Sequence, residues 1–267
     1  MCGIWNTPRA PFQIFGNTYY VGTAAIGVVL ITSPEGHVLI DGAIAESVPQ
    51  IVDNIRTVGF RIEHVKVILN SHAHMDHAGG LSGLQRLSGA EVRAHPRSVA
   101  VLSSGIAGRD DPQAGTLPDM EPVARVSALA EGETVRVGPL ALTPVFTPGH
   151  TPGGTTWTWR SCAGDECRQM VFADSLTAVS SPRFRFADST EYPGAVADFR
   201  ASIAAVAALP CDILISVHPE FSNFWSRLER RTAGEPDALI DRAACRRYAD
   251  NAGKALDRRL EQERGAP

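Results

Sequence analysis

Residues 71–80 read SHAHMDHAGG and place four metal-binding side chains within six positions, at His72, His74, Asp76 and His77. The run follows a short apolar segment that predicts a buried strand, and loops at the ends of strands carry functional groups on a rigid support. Because side chains two apart on an extended segment point the same way, His72 and His74 can share one metal ion. Asp76 and His77 follow at a predicted helix start and can supply a second.

Two further histidines also follow apolar strands. His150 lies in TPGHTPGG (147–154), and His218 follows the segment DILISV. If these loops meet the first one at a single sheet edge, they bring together five histidines and one aspartate. Three protein ligands per metal leave an open coordination position, which is the arrangement of catalytic zinc sites. Imidazole with one carboxylate suits zinc better than iron or manganese.

The rest of the chain predicts an α/β fold. Strands are expected at 19–32, 36–41, 65–70, 92–95, 134–137, 139–147, 155–160, 169–173 and 212–217, and helices at 46–58, 81–87, 196–208 and 237–263. Residues 104–122 are rich in Gly, Asp and Pro and predict a loop. Helices outside two central sheets would bury the apolar strands. No linker separates domains, so we predict a single domain over residues 1–267, with residues 1–15 as an extended N-terminal arm.

Composition excludes several classes of protein. Hydrophobic residues make up 44% of the 267-residue chain, which suits a globular core. No apolar run reaches the roughly 20 residues of a membrane span. The net charge of −4 gives no reason to expect a nucleic-acid partner. The three remaining histidines, His37, His64 and His95, are interpreted as ordinary core or surface residues.

The five cysteines form no CxxC pair, which argues against a zinc ribbon. Cys162 and Cys167 flank a predicted turn and can form a local disulfide. Cys211 and Cys245 can form a second, between a strand and the C-terminal helix. Buried free thiols in a cytosolic protein remain the alternative, whereas disulfides imply an oxidising compartment. Cys2 is left over, either disordered or a lipid attachment site.

The first residues, MCGIWNTPRA, lack the basic region and the apolar core of a signal peptide. We therefore interpret the chain as a mature form from which the signal peptide is absent.

Together, HAHMDH, PGHTPGGTTWTW (148–159), VFADSLTAVS (171–180), PCDIL and ACRRYAD resemble the subclass B3 metallo-β-lactamases of the metallo-β-lactamase fold superfamily. HxHxDH alone specifies only the superfamily, whereas the combined motifs are specific to the subclass. The resemblance runs from about residue 20 to the C-terminal helix and implies a four-layer αββα sandwich.

The resemblance also implies a role for each matching residue. One zinc ion would be held by His72, His74 and His150, and a second by Asp76, His77 and His218, with Asp76 also orienting the nucleophile. Ser175 and Thr177 would contact the substrate carboxylate directly or through water, and Gln113 would face the substrate. Asp41 would support the metal ligands from outside. The resemblance also implies a disulfide between Cys211 and Cys245 and, in some members, one between Cys162 and Cys167.

The activity implied is hydrolysis of the β-lactam amide bond of penicillins, cephalosporins and carbapenems by a zinc-bound hydroxide, with two Zn2+ ions as cofactors. Such an enzyme confers antibiotic resistance. We expect a periplasmic location, a small-molecule β-lactam substrate, no nucleic acid, no membrane span and a monomer.

Three alternatives stay open at this point. A glyoxalase II-type thioesterase or a lactonase of the same superfamily would use a bridging aspartate in the fourth motif, where Asp174 lies. A redox di-iron protein of this fold normally carries a glutamate where this chain has His74. A non-catalytic zinc-binding protein of the periplasm is a further class.

Overall fold

The computed structural model describes residues 2–130 and 132–265. Within these residues, the chain forms twelve strands in two sheets and eight α-helices. The side chain of Cys2 lies outside what the structure describes, and so does any role predicted for it.

The first sheet has seven strands in the order of the chain. These are β1 (Phe12–Phe15), β2 (Thr18–Tyr20), β3 (Val29–Ile31), β4 (His37–Ile40), β5 (Val65–Leu69), β6 (Glu91–Ala94) and β7 (Val126–Ala128). Strands β1 to β4 pair antiparallel, whereas β4 to β7 pair parallel.

The second sheet has five strands, in the spatial order of the twelfth, eleventh, tenth, ninth and eighth. They are β8 (Val135–Val137), β9 (Leu140–Phe146), β10 (Thr155–Ala163), β11 (Glu166–Ala173) and β12 (Ile213–Ser216). All neighbours pair antiparallel except β11 and β12, which are parallel.

The helices are α1 (Cys2–Trp5), α2 (Val48–Thr57), α3 (Met75–Ala78), α4 (Leu81–Ser88), α5 (Pro96–Ser104), α6 (Ala195–Ala208), α7 (Phe224–Thr232) and α8 (Ala244–Gly265). Short 3₁₀ turns lie at 45–47, 62–64 and 219–222.

Both faces of each sheet are covered, which produces four layers. On β3, Val29 and Ile31 belong to the core between the two sheets, whereas Leu30 packs under helices α2, α4 and α5. On the far side, α6 and α8 cover the outer face of β11 and β12. Strands β3, β4 and β12 are buried at every position, and their sequences are largely apolar rather than alternating. Strands β8 and β9 alternate between more buried and more exposed positions. The predicted αββα sandwich is confirmed.

The largest difference from the sequence prediction lies at 19–32. This stretch is not one strand but β2 and β3 joined by a tight loop at 21–28, closed by the bond from Thr23 N to Ile26 O (3.0 Å). The buried Tyr20 hydroxyl donates to the carbonyls of Thr23 and Ile26. A side chain at Gly22 would meet Ile26 O at 2.4 Å, so the tight turn requires glycine there. Apolar composition throughout the stretch conceals this loop.

Other boundaries also differ. The N-terminal arm is not wholly extended, since it contains α1 and ends in β1, which pairs with β2. The helix predicted from 237 begins instead at Ala244, because the Asp241 carboxylate accepts from Ala243 N and turns the chain just before it. Helices α5 and α7 and strand β7 were not predicted. Among the described residues, no helix combines the length and the apolarity needed to cross a bilayer.

Candidate metal centre

Six side chains predicted to bind metal meet at one edge of the sandwich. His72 and His74 follow the end of β5, and α3 carries Asp76 and His77. His150 lies in the loop between β9 and β10, and His218 directly precedes the 3₁₀ turn that follows β12. Trp157, buried between the sheets, donates its indole N–H to Asn70 O (3.2 Å) and so ties the second sheet to the histidine-bearing loop.

His72, His74 and His150 form what we call the first cluster. Each pair of their rings is 4.9 Å apart between centroids, and their candidate ligand atoms all lie within 4.8 Å of one another. All three rings are buried. Three imidazoles that converge in a buried space are suited to a metal ion, which neutral imidazole binds well.

Each ring of the first cluster is held by an oxygen on its outer side. His72 Nδ1 lies 2.7 Å from Asp174 Oδ1, His74 Nε2 lies 3.0 Å from Asp111 Oδ2, and His150 Nδ1 lies 2.8 Å from Thr177 O. Since the oxygens are acceptors, these nitrogens are assigned as the N–H donors.

This assignment leaves one lone pair per ring facing inward, on His72 Nε2, His74 Nδ1 and His150 Nε2. His72 Nε2 is buried and has no hydrogen-bond partner among the described residues. An unpartnered buried nitrogen is costly, and a metal ion at this point would satisfy it. The first cluster therefore fits a metal.

Asp76, His77 and His218 form the second cluster. Asp76 Oδ2 lies 3.2 Å from His77 Nε2 and 3.4 Å from His218 Nε2, and the two nitrogens are 3.2 Å apart. Ligands about 2.0–2.1 Å from one tetrahedral metal ion lie about 3.3 Å from each other. The three donor atoms are thus spaced for a single ion.

The two clusters adjoin. Ligand atoms of His72, Asp76 and His77 lie within 4.8 Å of one another, and the rings of His72 and His77 are 4.3 Å apart. Two metal ions held here would be close enough to act on one substrate.

The second cluster is supported more loosely from outside. His77 Nδ1 lies 3.7 Å from Asp41 Oδ2, and His218 Nδ1 lies 3.3 Å from Ala25 O. Asp41 is fully buried and accepts from the Ser71 amide (2.7 Å) and hydroxyl (2.6 Å). Asp41 has a φ of +64°, a conformation that is rare outside glycine and clusters at functional sites.

The pKa values favour metal-binding forms. Burial lowers the pKa of His72 well below its usual value and that of His150 to about 3, so both rings are neutral near pH 7. Burial by itself raises the pKa of Asp76, but His77 and His218 beside it bring the pKa well below the ordinary value. The Asp76 carboxylate is therefore ionised.

A cavity of about 530 Å³ opens over both clusters. Gln113 and Thr177 line it, and Gln113 Nε2 lies 3.3 Å from His74 Nδ1 and 3.5 Å from His150 Nε2. Ser175 is only 1% exposed and is not among the described residues that line the cavity. Its predicted contact with the substrate carboxylate, directly or through water, stays a prediction. Its hydroxyl is buried without a partner among the described residues.

The other histidines lie elsewhere. His37 packs against Phe60 and His64, with ring distances of 5.0 and 5.9 Å, while His95 packs on Phe146 and accepts from Arg97 N at the start of α5. Cys162 is joined to Cys167 across the β10–β11 turn, and Cys211 joins Cys245 on α8.

The sequence did not predict the oxygen atoms that contact the outer nitrogens of the histidine rings. Asp111 lies in a Gly- and Pro-rich loop whose residues have no periodic pattern, so nothing in the sequence links it to His74. Asp174 was considered only as a bridging metal ligand, whereas it contacts the outer nitrogen of His72. The Ala25 carbonyl is a backbone group and has no sequence signal.

The family model of the metallo-beta-lactamase superfamily matches residues 25–218. The solved structure of Rm3 metallo-beta-lactamase is 54% identical, with a TM-score of 0.97 over 98% of this chain and 98% of that chain. MEM-A1, a subclass B3 metallo-beta-lactamase isolated from a soil metagenome library, is 53% identical, with a TM-score of 0.95 over 97% of this chain and 98% of that one.

Curated relatives are more distant. The hydroxyacylglutathione hydrolase of Acidiphilium cryptum (strain JF-5) is 26% identical over 72% of this chain and 65% of that protein. Across four curated relatives, the chain spans 53–67% of their length. The chain therefore belongs to the metallo-beta-lactamase superfamily, and within that superfamily it resembles the subclass B3 metallo-beta-lactamases.

Proposed function

We propose that this protein hydrolyses the amide bond of β-lactams with two zinc ions. The observation that carries the proposal is the pair of adjoining clusters, each with three inward donor atoms, beneath a cavity large enough for a small bicyclic substrate. The likeness to Rm3 and MEM-A1, which are named metallo-beta-lactamases and match almost the whole chain, supports the same activity.

The first cluster would hold one zinc ion through three imidazoles, and the second cluster would hold another through one carboxylate and two imidazoles. When bound, zinc supplies a Lewis acid for the lactam carbonyl and makes water acidic enough to attack near pH 7. Only three donors per cluster leave a coordination position free for substrate or water, as in catalytic rather than structural zinc sites.

The chain's own groups would orient the reactants. The ionised Asp76 carboxylate can orient the attacking water by accepting a hydrogen bond from it. Thr177 offers a hydroxyl and Gln113 an amide to the substrate from the cavity wall. Ser175 is buried, so it would reach a substrate carboxylate only through water.

The alternative is a thioesterase or lactonase of the same superfamily, and the A. cryptum relative carries such a name. The bridging role that this alternative requires of Asp174 is not supported by its position, because its Oδ1 contacts the outer nitrogen of His72 at 2.7 Å. The much lower identity of that relative also favours the lactamase proposal.

We further propose a periplasmic, monomeric, single-domain enzyme that confers resistance to β-lactams, including carbapenems. The two disulfides support an oxidising compartment. None of the four cysteines is among the described residues that line the cavity, so the disulfides are suited to stabilise the scaffold rather than to take part in the reaction.

Ring opening followed by ultraviolet absorbance tests the proposal. Zinc-loaded protein is expected to turn over a penicillin and a carbapenem, to lose the activity with a chelator, and to regain it with added zinc. If a zinc-loaded, disulfide-bonded preparation opens neither ring but cleaves a glutathione thioester or a lactone, the alternative is correct.

A further inference from the structure

The cavity wall beside the second cluster has a chemistry that the hydrolytic site does not require. Trp5, Glu220 and Phe221 line the cavity, and so do Ile4 and Val179. Ile4, Val179 and Phe221 are 71%, 51% and 52% exposed. The described residues include five exposed large apolar side chains, and these three are among them. An exposed apolar rim around a cavity is typical of a ligand-binding surface.

Charge on this wall has one sign. Among the described residues that line the cavity, the only ionisable groups outside the histidines are Asp76, which belongs to the second cluster, and Glu220. None of the described residues that line it is a lysine or an arginine. The Glu220 side chain is exposed and forms no ion pair with any described residue. A positively charged ligand group would therefore find an unpaired carboxylate here, whereas a negative group would meet repulsion.

Contacts of Phe221 and of the Trp5 backbone connect both residues to the side of the second cluster. The Phe221 ring is 5.2 Å from the His218 ring. The Trp5 carbonyl accepts a hydrogen bond from Thr23 Oγ1 (2.7 Å). Thr23 lies two residues before Ala25, whose carbonyl contacts His218, so this bond connects Trp5 to the same side. Aromatic faces attract organic cations, and a carboxylate beside them adds a full negative charge.

We propose that Trp5, Glu220 and Phe221 form a subsite for an organic cation, such as a quaternary ammonium or pyridinium group on the substrate. The inference rests on the proposed function and adds to it that the metal ion of the second cluster would lie beside the lactam nitrogen. The cationic group would then be a substituent of the ring fused to the lactam, next to that nitrogen, rather than of the acyl side chain.

Two cephalosporins with the same thienylacetamido group test this subsite, one with a pyridiniummethyl and one with an acetoxymethyl group at C3. The wild-type protein is expected to have the lower KM for the pyridinium compound. Glu220→Gln should raise that KM by about 5-fold, and Phe221→Leu by about 3-fold, while the KM for the acetoxymethyl compound changes by less than about 2-fold. Glu91→Gln, which removes an exposed carboxylate on β6, is the control for net charge.

Equal changes in KM for both cephalosporins in Glu220→Gln would overturn the proposal. Binding of benzyltrimethylammonium chloride to zinc-loaded protein, followed by chemical-shift changes, separates failure of the subsite from failure of the lactamase activity. Weaker binding in Glu220→Gln than in wild type supports the subsite even if neither cephalosporin is hydrolysed. Equal binding in the two proteins overturns it.

Discussion

The first and second clusters differ in how their imidazole rings are held. In the first cluster, every outer nitrogen has an oxygen acceptor at 2.7–3.0 Å, and two of the three acceptors are buried carboxylates. In the second, Asp41 Oδ2 lies 3.7 Å from His77 Nδ1, and Ala25 O lies 3.3 Å from His218 Nδ1. The side chain of His218 is also 19% exposed, whereas that of His72 is fully buried.

This difference indicates where the protein itself fixes the geometry. Hydrogen bonds to carboxylates set the tautomer and the orientation of a ligand imidazole. The first cluster is thus ordered by its surroundings before metal binds. In the second cluster, the carboxylate of Asp76 supplies attraction, but the ring of His218 depends on one carbonyl of a loop. Changes to supporting residues should therefore affect the two clusters separately.

The largest effect is expected from removal of a ligand. His150→Ala should lower lactam hydrolysis by at least about 1,000-fold, because the first cluster loses its metal. The free energy of unfolding of the metal-free protein should change by less than about 2 kcal/mol. Initial rates, metal analysis and urea unfolding measure the three quantities. His64→Ala, at an exposed histidine outside the clusters, is the control. Wild-type activity with the first cluster empty would contradict the two-metal assignment.

Loss of a supporting carboxylate should act on one cluster. Asp174→Asn replaces the carboxyl group that contacts His72 Nδ1 with an amide, so zinc affinity of the first cluster should fall by about 10-fold, while that of the second stays nearly constant. Competition with a chromophoric chelator measures both affinities. The matched variant is Asp41→Asn, a buried carboxylate behind the second cluster, for which the pattern should reverse. Equal loss at both clusters in Asp174→Asn would indicate that Asp174 bridges the metals.

A smaller effect is expected from the C-terminal helix, which holds the loop behind the first cluster. Arg259 donates to Ser180 Oγ (2.6 Å) and to Phe184 O (3.1 Å), and it pairs with the buried Glu263 (2.6 Å). The same loop carries Thr177, whose carbonyl accepts from His150. Arg259→Met should raise KM by about 5-fold and change kcat by less than about 2-fold. The loop that carries Thr177 would shift and weaken substrate binding, whereas the metal ligands would move less.

Steady-state kinetics check this split, with the exposed Arg258→Met as the control. A variant that is less stable but has an unchanged KM would mean that Arg259 serves folding alone.

The smallest effect concerns the loop that supports His218. Trp225 Nε1 donates to Ala24 O (3.0 Å) and so holds the loop whose next residue supplies the Ala25 carbonyl. Trp225→Phe should weaken zinc binding at the second cluster by about 3-fold and leave the first unchanged. Zinc titration measures this. Trp159→Phe removes an indole N–H that bonds Thr18 instead, away from both clusters, and is the control. An equal loss of zinc affinity in both variants would mean that the loop of Ala24 and Ala25 does not support the second cluster.

The parts of this molecule that local patterns encode were predicted from the sequence. The four-layer fold follows from apolar strands alternating with amphipathic helices, and it is confirmed. HAHMDH, PGH and VHP follow predicted strands, and the structure brings their side chains to one edge. This edge could be predicted because each of the three motifs directly follows the end of a predicted strand.

The supporting contacts could not be predicted in the same way. Asp111 and Ala25 reach their histidines from loops with no periodic pattern, across 37 and 193 residues of chain. The loop at 21–28 was hidden because turn and strand residues are equally apolar there. Contacts of this kind depend on how the packed loops meet, which spacing along the chain does not record.

Anomalous diffraction at the zinc absorption edge, from crystals grown with excess zinc, tests the dinuclear site most directly. Two peaks are expected. One should lie between His72 Nε2, His74 Nδ1 and His150 Nε2, and the other between the three donor atoms of the second cluster, with Asp174 bound to neither ion. A single peak, or two ions bridged by Asp174, would contradict the proposed site and would favour the thioesterase or lactonase alternative.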